Sequence, residues 1–214
     1  HWTKPAPVPE PVPEPDPLSG TLMDQHPDES EILRTQERPG VKLHQIKPGS
    51  KRFEKIIKLI PRRSHSQTQV FYVENQRLTN QHLLEFNAMN SRNGNGANPM
   101  RLWHGTDAKV ADTICSNGFD RSYSKVAQFG KGVYFANDPE YSLGPGYAKP
   151  DPAGVQTLLL THVLVGNPTI GRYNQLGVPA GFDSFVNTSR HPGIFVSGHR
   201  DPQCLVEYLI QVKK

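Results

Sequence analysis

The sequence predicts an α+β fold built on a mainly antiparallel β-sheet with small helices. Apolar residues at helical spacing are confined to the earlier part of the globular region, while strand-like runs dominate the later part. The chain shows no strand–helix–strand alternation of the kind that builds a parallel sheet. The glycine-rich stretch at 91–99 is not a dinucleotide fingerprint, because no strand precedes it and its third glycine is missing. We therefore expect an antiparallel sheet rather than a doubly wound fold.

Three short helices are expected, all in the first 120 residues. Apolar residues repeat at helical spacing over 53–60, just ahead of a proline. A second helix is predicted from a cap at Thr79 to about Met89. The third covers 108–116, with Asp107 as its N-cap and an Asn-Gly pair as its stop.

Strands are predicted where apolar and β-branched residues form short runs between turn residues. These runs lie at 70–73, 101–104, 132–136, 155–165, 194–196 and 205–212.

The first 40 residues differ in composition from the rest of the chain. Prolines occupy every odd position from Pro5 to Pro17, a pattern that favours extended polyproline II and builds no core. Residues 1–40 carry eight acidic and three basic side chains, whereas residues 41–214 carry 12 acidic and 21 basic ones. We expect residues 1–40 to be a disordered linker or tail, and residues 41–214 to be one globular domain.

The bulk composition narrows the class of protein. No apolar run approaches the roughly 18 residues of a membrane span, so no membrane partner is expected. Cys115 and Cys204 lie far apart and in no ligand spacing, which predicts two free buried thiols, no metal site, and a reducing compartment, the cytoplasm or nucleus. The basic domain makes nucleic acid a possible partner, but a solvated basic surface is favoured. The sequence leaves the oligomeric state open.

Three short segments carry the side chains with the most chemistry. Leu102-Trp103-His104-Gly105-Thr106 places an imidazole at a strand end beside backbone that a ligand can approach closely. In the segment 129–136, adjacent residues must face opposite sides of a strand, so Tyr134 is free to face a cleft if Phe135 enters the core. The segment 141–148 supplies a hydroxyl and further aromatic rings within a turn. Taken singly, each has an ordinary structural interpretation: a histidine before a turn, core aromatic rings, and a loop with buried tyrosines.

Together and in this order, the segments resemble the catalytic domain of the poly(ADP-ribose) polymerase (PARP) family, in its mono-ADP-ribosylating branch. The matching text is LWHGTD, ADTICSNGFDRS, QFGKGVYFA, EYSLGPGYA, GFDSFVNTSRHPGIFV and VEYLI. The resemblance covers about three quarters of the chain, from residue 54 onward. It implies a split, mainly antiparallel sheet that binds NAD+ as substrate, without a Rossmann fingerprint and without a metal.

The resemblance also implies roles for individual residues. His104 holds the adenosine ribose 2′-hydroxyl, the Gly105 backbone binds the nicotinamide carboxamide, and Ser142 hydrogen-bonds its oxygen. Tyr134 stacks on the nicotinamide ring. The family usually places a second tyrosine three residues after the serine, where this chain has a proline, so we assign Tyr147 to the opposing face of the ring. Further binding positions are expected at Thr106, Arg121 and Ala136.

One position separates chain growth from single transfer. Polymerising members of the family carry a glutamate at the start of a late strand, where mono-transferring members carry Ile or Leu. Ile194 matches this position by register, and Glu207 is the competing candidate. The resemblance therefore implies a protein mono-ADP-ribosyltransferase. The alternatives are a silent NAD- or ADP-ribose-binding module, a polymerase that uses Glu207, and a transferase acting on nucleic acid.

Overall fold

A computed structural model describes residues 25–94, 96–124 and 127–213 of the chain. Within these residues, ten strands join one sheet and four α-helices lie around it. The strands are β1 (Ile32–Arg38), β2 (Val41–Ile46), β3 (Thr68–Glu74), β4 (Pro99–Thr106), β5 (Val133–Ala136), β6 (Val155–Leu164), β7 (Pro168–Ile170), β8 (Ser184–Val186), β9 (Ile194–Ser197) and β10 (Cys204–Lys213). The helices are α1 (Lys51–Ile57), α2 (Gln76–Arg92), α3 (Ala108–Asn117) and α4 (Pro139–Ser142).

The sheet is mixed, but antiparallel pairing dominates it. Its strand order is β1-β2-β3-β10-β6-β4-β5-β9-β8-β7, and among the described strands the pair β7–β8 is the parallel one. The predicted α+β class with a mainly antiparallel sheet is confirmed. The last strand of the sequence, β10, lies in the interior of the sheet between β3 and β6.

The core lies on both faces of the sheet. Neighbouring leucines of β6 belong to different apolar clusters: Leu159 packs with residues of α3, and Leu158 and Leu160 pack with residues of α1. Because successive side chains of a strand point to opposite faces, a strand covered on both sides reads as a continuous apolar run. This explains why three leucines in succession, Leu158 to Leu160, are all buried in β6.

The helix boundaries agree with the sequence in part. The α3 prediction is confirmed: the Asp107 side chain accepts a hydrogen bond from the Val110 amide at 2.9 Å. The predicted cap at Thr79 is wrong. Helix α2 begins at Gln76, directly after β3, and Asn75 caps it by accepting from the Leu78 amide. This helix also runs on to Arg92, into the stretch predicted to be a loop.

The predicted boundary of the N-terminal tail at residue 40 needs correction. The structure places Ile32–Arg38 in strand β1, at the edge of the sheet and paired with β2. Most of its side chains are exposed, because an edge strand gains its order from backbone hydrogen bonds and needs little apolar surface. The amino-acid composition of residues 1–40 alone therefore does not reveal strand β1. The proline-rich stretch predicted to be disordered lies outside the described residues.

Two further expectations concern cysteines and membranes. Cys115 and Cys204 are free and buried, as predicted, and burial raises the pKa of each thiol to about 12. Among the described helices, none combines the length and apolar character required to cross a bilayer.

Candidate functional site

The sheet opens between β4 and β5. Among the described residues, these two strands are paired at one position, Trp103 with Ala136, whereas β4 pairs with β6 along its full length. Beyond Trp103 these two strands are not paired, and we call this opening between them at the end of β4 the cleft. His104, Gly105 and Thr106 all lie beyond this last pair.

The His104 side chain bridges the cleft. Its Nδ1 donates to the carbonyl oxygen of Tyr134 on β5 at 2.8 Å. The ring packs between Phe119 and Phe135, with centroids at 5.3 and 5.7 Å. Burial lowers the pKa of His104, so the imidazole is neutral at pH 7. With the proton on Nδ1, the Nε2 lone pair is left to accept a hydrogen bond from a ligand.

Gly105 is the closest approach between β4 and α4. A Cβ added to Gly105 would overlap the carbonyl oxygen of Ser142 and come within 3.1 Å of the Ala148 amide nitrogen. No residue larger than glycine fits here without moving α4. The buried Ser142 hydroxyl donates to the Trp103 carbonyl at 3.3 Å, which is long for an O–H···O bond and easily exchanged for a ligand.

Gln156 on β6 is a positioning residue that sequence reasoning missed. It is buried, and its amide nitrogen donates to the carbonyl oxygens of Leu143 at 2.9 Å and Ala148 at 2.7 Å. These two carbonyls bracket the turn that carries Tyr147. A polar side chain within the apolar run of β6 was the available signal, since a buried amide requires partners.

The Tyr134 ring is held by its hydroxyl. The hydroxyl donates to the Gly130 carbonyl at 2.7 Å and accepts from the Phe129 amide at 2.9 Å. Phe135 is buried in the core, and Tyr134 keeps part of its surface exposed. This is the arrangement expected if the tyrosine faces a cleft. Burial raises the pKa of Tyr134, so the hydroxyl stays neutral.

Tyr147 pairs with another tyrosine, Tyr141. Its hydroxyl lies 2.8 Å from that of Tyr141, and the two rings are 5.1 Å apart at 31°. Both rings are about half exposed. The hydrogen bond with Tyr141 raises the pKa of Tyr147 to about 12. A hydrogen bond from the Tyr147 amide to the Gly144 carbonyl at 3.0 Å closes the turn that carries Tyr147.

Ile194 lies beside the cleft on the far side of β5. It opens strand β9 directly opposite Ala136, and both are buried in one cluster with Tyr134 packed against it. The position is apolar and supplies no ionisable group. The Asn187 side chain fixes it by accepting from the amides of Gly193 and Ile194 at 3.1 and 3.2 Å.

Comparison with known proteins places these features in a family. The model of the poly(ADP-ribose) polymerase catalytic domain matches residues 50–176, more than half of the chain and including the cleft between β4 and β5. This chain belongs to the PARP family.

Three relatives in the PARP family are named as protein mono-ADP-ribosyltransferases, and a Dictyostelium discoideum relative, 30% identical over 110 residues, is named as a probable poly(ADP-ribose) polymerase. Human protein mono-ADP-ribosyltransferase PARP14 is 32% identical over 152 residues, 66% of this chain and 8% of that protein. Human PARP12 is 32% identical over 190 residues, 81% of this chain and 26% of that protein. Mouse PARP10 is 32% identical over 121 residues, 52% of this chain and 12% of that protein. The chain thus spans a small part of the length of each relative.

The PARP-family chain holds Glu207 away from the cleft. Glu207 lies on β10, two strands from β4 on the side opposite to β5, and is buried. It pairs with the buried Arg101 through two hydrogen bonds of 2.5 and 3.1 Å. Glu207 is therefore one half of a buried ion pair.

Arg121 lies apart from the other predicted site residues of this PARP domain. It is exposed in a short 3₁₀ turn and pairs with Asp201 at 3.3 Å. It lines an open groove of about 620 Å³ on the outside of α2, together with Arg200, Asp201 and Pro202. His104, Tyr134 and Ser142 do not line this groove. The structure brings together His104, Gly105, Thr106, Tyr134, Ala136, Ser142 and Ile194 around the cleft, and Ala148, the residue after Tyr147, lies against Gly105.

Proposed function

We propose that this chain transfers single ADP-ribose units from NAD+ to side chains of protein acceptors and releases nicotinamide. The observation that carries the proposal is the split between β4 and β5, where His104, Gly105, Tyr134 and Ser142 converge. The names of the relatives support both the reaction and the protein acceptor.

The nicotinamide end of the substrate is assigned to the Gly105 side of the cleft. The carboxamide meets the Gly105 backbone and replaces the Trp103 carbonyl as partner of the Ser142 hydroxyl. The exposed part of the Tyr134 ring offers a flat face for the pyridinium, since aromatic faces attract cations. In this proposal Tyr147 leaves Tyr141 to cover the opposite face.

The remainder of NAD+ is assigned to the opposite side of the cleft. The Nε2 atom of His104, made an acceptor by the hydrogen bond from Nδ1 to Tyr134, receives the ribose 2′-hydroxyl. Thr106 and Ala136 lie on the two strands that border the cleft. Arg121 is left out of this assignment, because it pairs with Asp201 in the groove outside α2.

The chemistry proposed for this cleft is a dissociative substitution at C1′ of the nicotinamide ribose. The bond from C1′ to the ring nitrogen breaks, and its electron pair neutralises the pyridinium as nicotinamide leaves. The ribose gains oxocarbenium character, as in glycoside hydrolysis. The protein binds both the nicotinamide leaving group and the adenosine ribose. The free energy of this binding holds the bond between C1′ and the ring nitrogen in the orientation in which it breaks. An acceptor oxygen then bonds to C1′.

The transfer stops after one unit because an isoleucine, and not a carboxylate, stands at the position that polymerising members fill with glutamate. Ile194 occupies the position opposite Ala136. An acidic acceptor carries its own nucleophilic oxygen, whereas a ribose hydroxyl of a bound ADP-ribose needs a base. Glu207 does not provide that base in this proposal, because it is committed to Arg101 within the sheet.

The proposal is tested by incubating the full chain with NAD+ and measuring intact masses. We expect discrete additions of one ADP-ribose per modified site. Long heterogeneous ladders would support the polymerase that uses Glu207. The product distribution is a better test than Glu207→Gln, because breaking a buried ion pair costs about 3–5 kcal/mol and impairs folding whatever its role.

A silent NAD-binding domain is the second candidate. The contact between Tyr141 and Tyr147 favours it, because a ring held there does not cover the nicotinamide. The same assay separates the two functions: NAD+ binding without release of nicotinamide indicates the silent domain. Replacing the protein acceptor by RNA tests transfer to nucleic acid.

The two buried free thiols support a reducing compartment, the cytoplasm or nucleus.

A further inference from the structure

Three side chains with metal-binding atoms converge at the β1–β3 end of the sheet, away from the cleft. His26 precedes β1, His44 lies on β2 and Glu74 ends β3. His44 is opposite Tyr72, two residues from Glu74, so the two side chains are diagonal neighbours on one face of the sheet. Their ligand atoms belong to three separate segments of the chain.

The distances between these atoms fit one small cation. Nε2 of His44 lies 2.7 Å from Oε2 of Glu74, and Nε2 of His26 lies 3.3 Å from the same oxygen. The two Nε2 atoms are 3.4 Å apart. Ligands on a tetrahedral zinc ion, with bonds of about 2.0–2.1 Å, are about 3.3–3.4 Å apart. Two of the three separations already have this value, and the third needs only a small opening.

The far side of each imidazole is fixed as in protein metal sites. Nδ1 of His26 donates to the carbonyl oxygen of Pro27 at 2.8 Å, and Nδ1 of His44 is hydrogen-bonded to the Thr35 hydroxyl at 2.8 Å. Metal-binding histidines commonly donate their other ring N–H to such a partner. When both Nδ1 atoms donate, both Nε2 lone pairs point at the Glu74 carboxylate. Such lone pairs repel unless a proton or a metal ion lies between them.

One side of the cluster is exposed to solvent. His44 is buried, the Glu74 side chain is one-third exposed, and the His26 side chain is half exposed. The Tyr72 ring closes one flank, 5.6 Å from the His26 ring. Water can therefore reach a fourth position.

We propose that His26, His44 and Glu74 bind one zinc ion, with water as the fourth ligand. Two imidazoles and a carboxylate suit zinc, whereas magnesium prefers oxygen ligands alone. The ion ties the segment ahead of β1 to β2 and β3, and so clamps the start of the sheet. The inference is independent of the proposed transferase activity, because its readout is binding.

The test is calorimetric titration of the chelator-treated full chain with zinc chloride. We expect one zinc per chain, a higher Tm in its presence and no heat from magnesium chloride. Bound cobalt(II) should show the intense visible bands of a tetrahedral site.

A half-exposed ligand gives a variant that leaves the core intact. His26→Ala should lower the zinc affinity at least about ten-fold, and Glu74→Gln should do the same. His199→Ala, which removes an exposed histidine outside the cluster, should bind zinc as the parent does. The proposal is overturned if the parent does not bind zinc, or if His26→Ala binds it as tightly.

Discussion

At the residue scale, the cleft depends on groups that each have one partner fixed by the protein and one left for a ligand. His104 donates from Nδ1 to the Tyr134 carbonyl, which leaves Nε2 for a ligand. The Tyr134 hydroxyl is hydrogen-bonded to the backbone of residues 129 and 130, which leaves a face of the ring for a ligand. Ser142 holds a long hydrogen bond that a ligand can replace. Preorganised groups of this kind bind a substrate with little rearrangement.

His104→Ala should weaken NAD+ binding and transfer. It removes the acceptor for the ribose hydroxyl and also the hydrogen bond across the cleft, each worth about 0.5–1.5 kcal/mol. A loss of about ten-fold or more in kcat/KM is expected, measured with labelled NAD+. An unchanged kcat/KM in a folded variant would remove His104 from the site.

The lowered pKa of His104 sets a pH dependence. The neutral ring accepts a hydrogen bond and the protonated ring does not, so kcat/KM should hold as the pH falls to about 6.5. It should drop only at lower pH, once the ring is protonated. A pH profile of initial rates measures this, and a loss centred above about pH 6.5 would contradict it.

Gly105→Ala tests the close approach of β4 and α4. The added methyl group would collide with the Ser142 carbonyl, which belongs to the backbone and yields only if α4 moves. We expect a lower Tm and loss of NAD+ binding. Gly146→Ala is the matched control, because a Cβ there meets nothing within 4 Å. Equal behaviour of the two variants would contradict the packing argument.

At the element scale, the turn after α4 is held from beneath by the sheet. Gln156 of β6 donates to the carbonyls of Leu143 and Ala148, one at each end of the turn that carries Tyr147. The position of Tyr147 therefore depends on hydrogen bonds from a neighbouring strand, β6.

Gln156→Leu should loosen this turn. The change removes both hydrogen bonds and leaves two carbonyl groups without their present partner, at a cost of about 1–3 kcal/mol each if they stay buried. We expect a lower Tm and a larger KM for NAD+ than in the parent. Gln69→Leu, at an exposed strand position, is the control. If both variants keep the KM of the parent, the turn does not depend on Gln156.

The sequence predicts the elements whose signal is local and misses those that depend on partners. The apolar run of β6 and the Asp107 cap of α3 are read directly from adjacent residues. Strand β1 is polar and is ordered by pairing with β2, so no local pattern marks it. For the same reason, the cluster of His26, His44 and Glu74 has no linear motif. The resemblance assigns Tyr147 to one face of the nicotinamide ring. Its contact with Tyr141 depends on the conformation of the turn, which the spacing of residues in the sequence does not define.

At the scale of the whole molecule, a buried polar network joins α2 to the centre of the sheet. His82 donates from Nδ1 to the Pro202 carbonyl at 2.8 Å, and its Nε2 lies 2.8 Å from Nδ1 of His162 on β6. Burial lowers the pKa of His82 to about 4. Burial, with the nearby charges of His82 and Arg101, holds the pKa of His162 well below its usual value.

This network should make the fold sensitive to acid. Both histidines bind a proton more weakly in the folded chain than in the unfolded chain, so stability is present above about pH 6.5 and falls as the pH is lowered towards 4. Each contributes up to about 1.4 kcal/mol per pH unit in that range. Urea unfolding at several pH values measures the slope, which should shrink in His162→Gln and stay unchanged in His199→Ala. A slope unaffected by His162→Gln would contradict the assignment.

The proposed function requires that the cleft between β4 and β5 binds NAD+ with the nicotinamide ring on Tyr134. The most direct measurement is NAD+ binding and ADP-ribose incorporation by the parent, by Tyr134→Ala and by the control Tyr173→Ala, which removes an exposed ring. The parent and the control should bind NAD+ and incorporate ADP-ribose alike. Tyr134→Ala should lose at least about ten-fold in its affinity for NAD+ and in the rate of incorporation. A parent that fails to bind NAD+, or a Tyr134→Ala variant that binds and reacts like the parent, would contradict it.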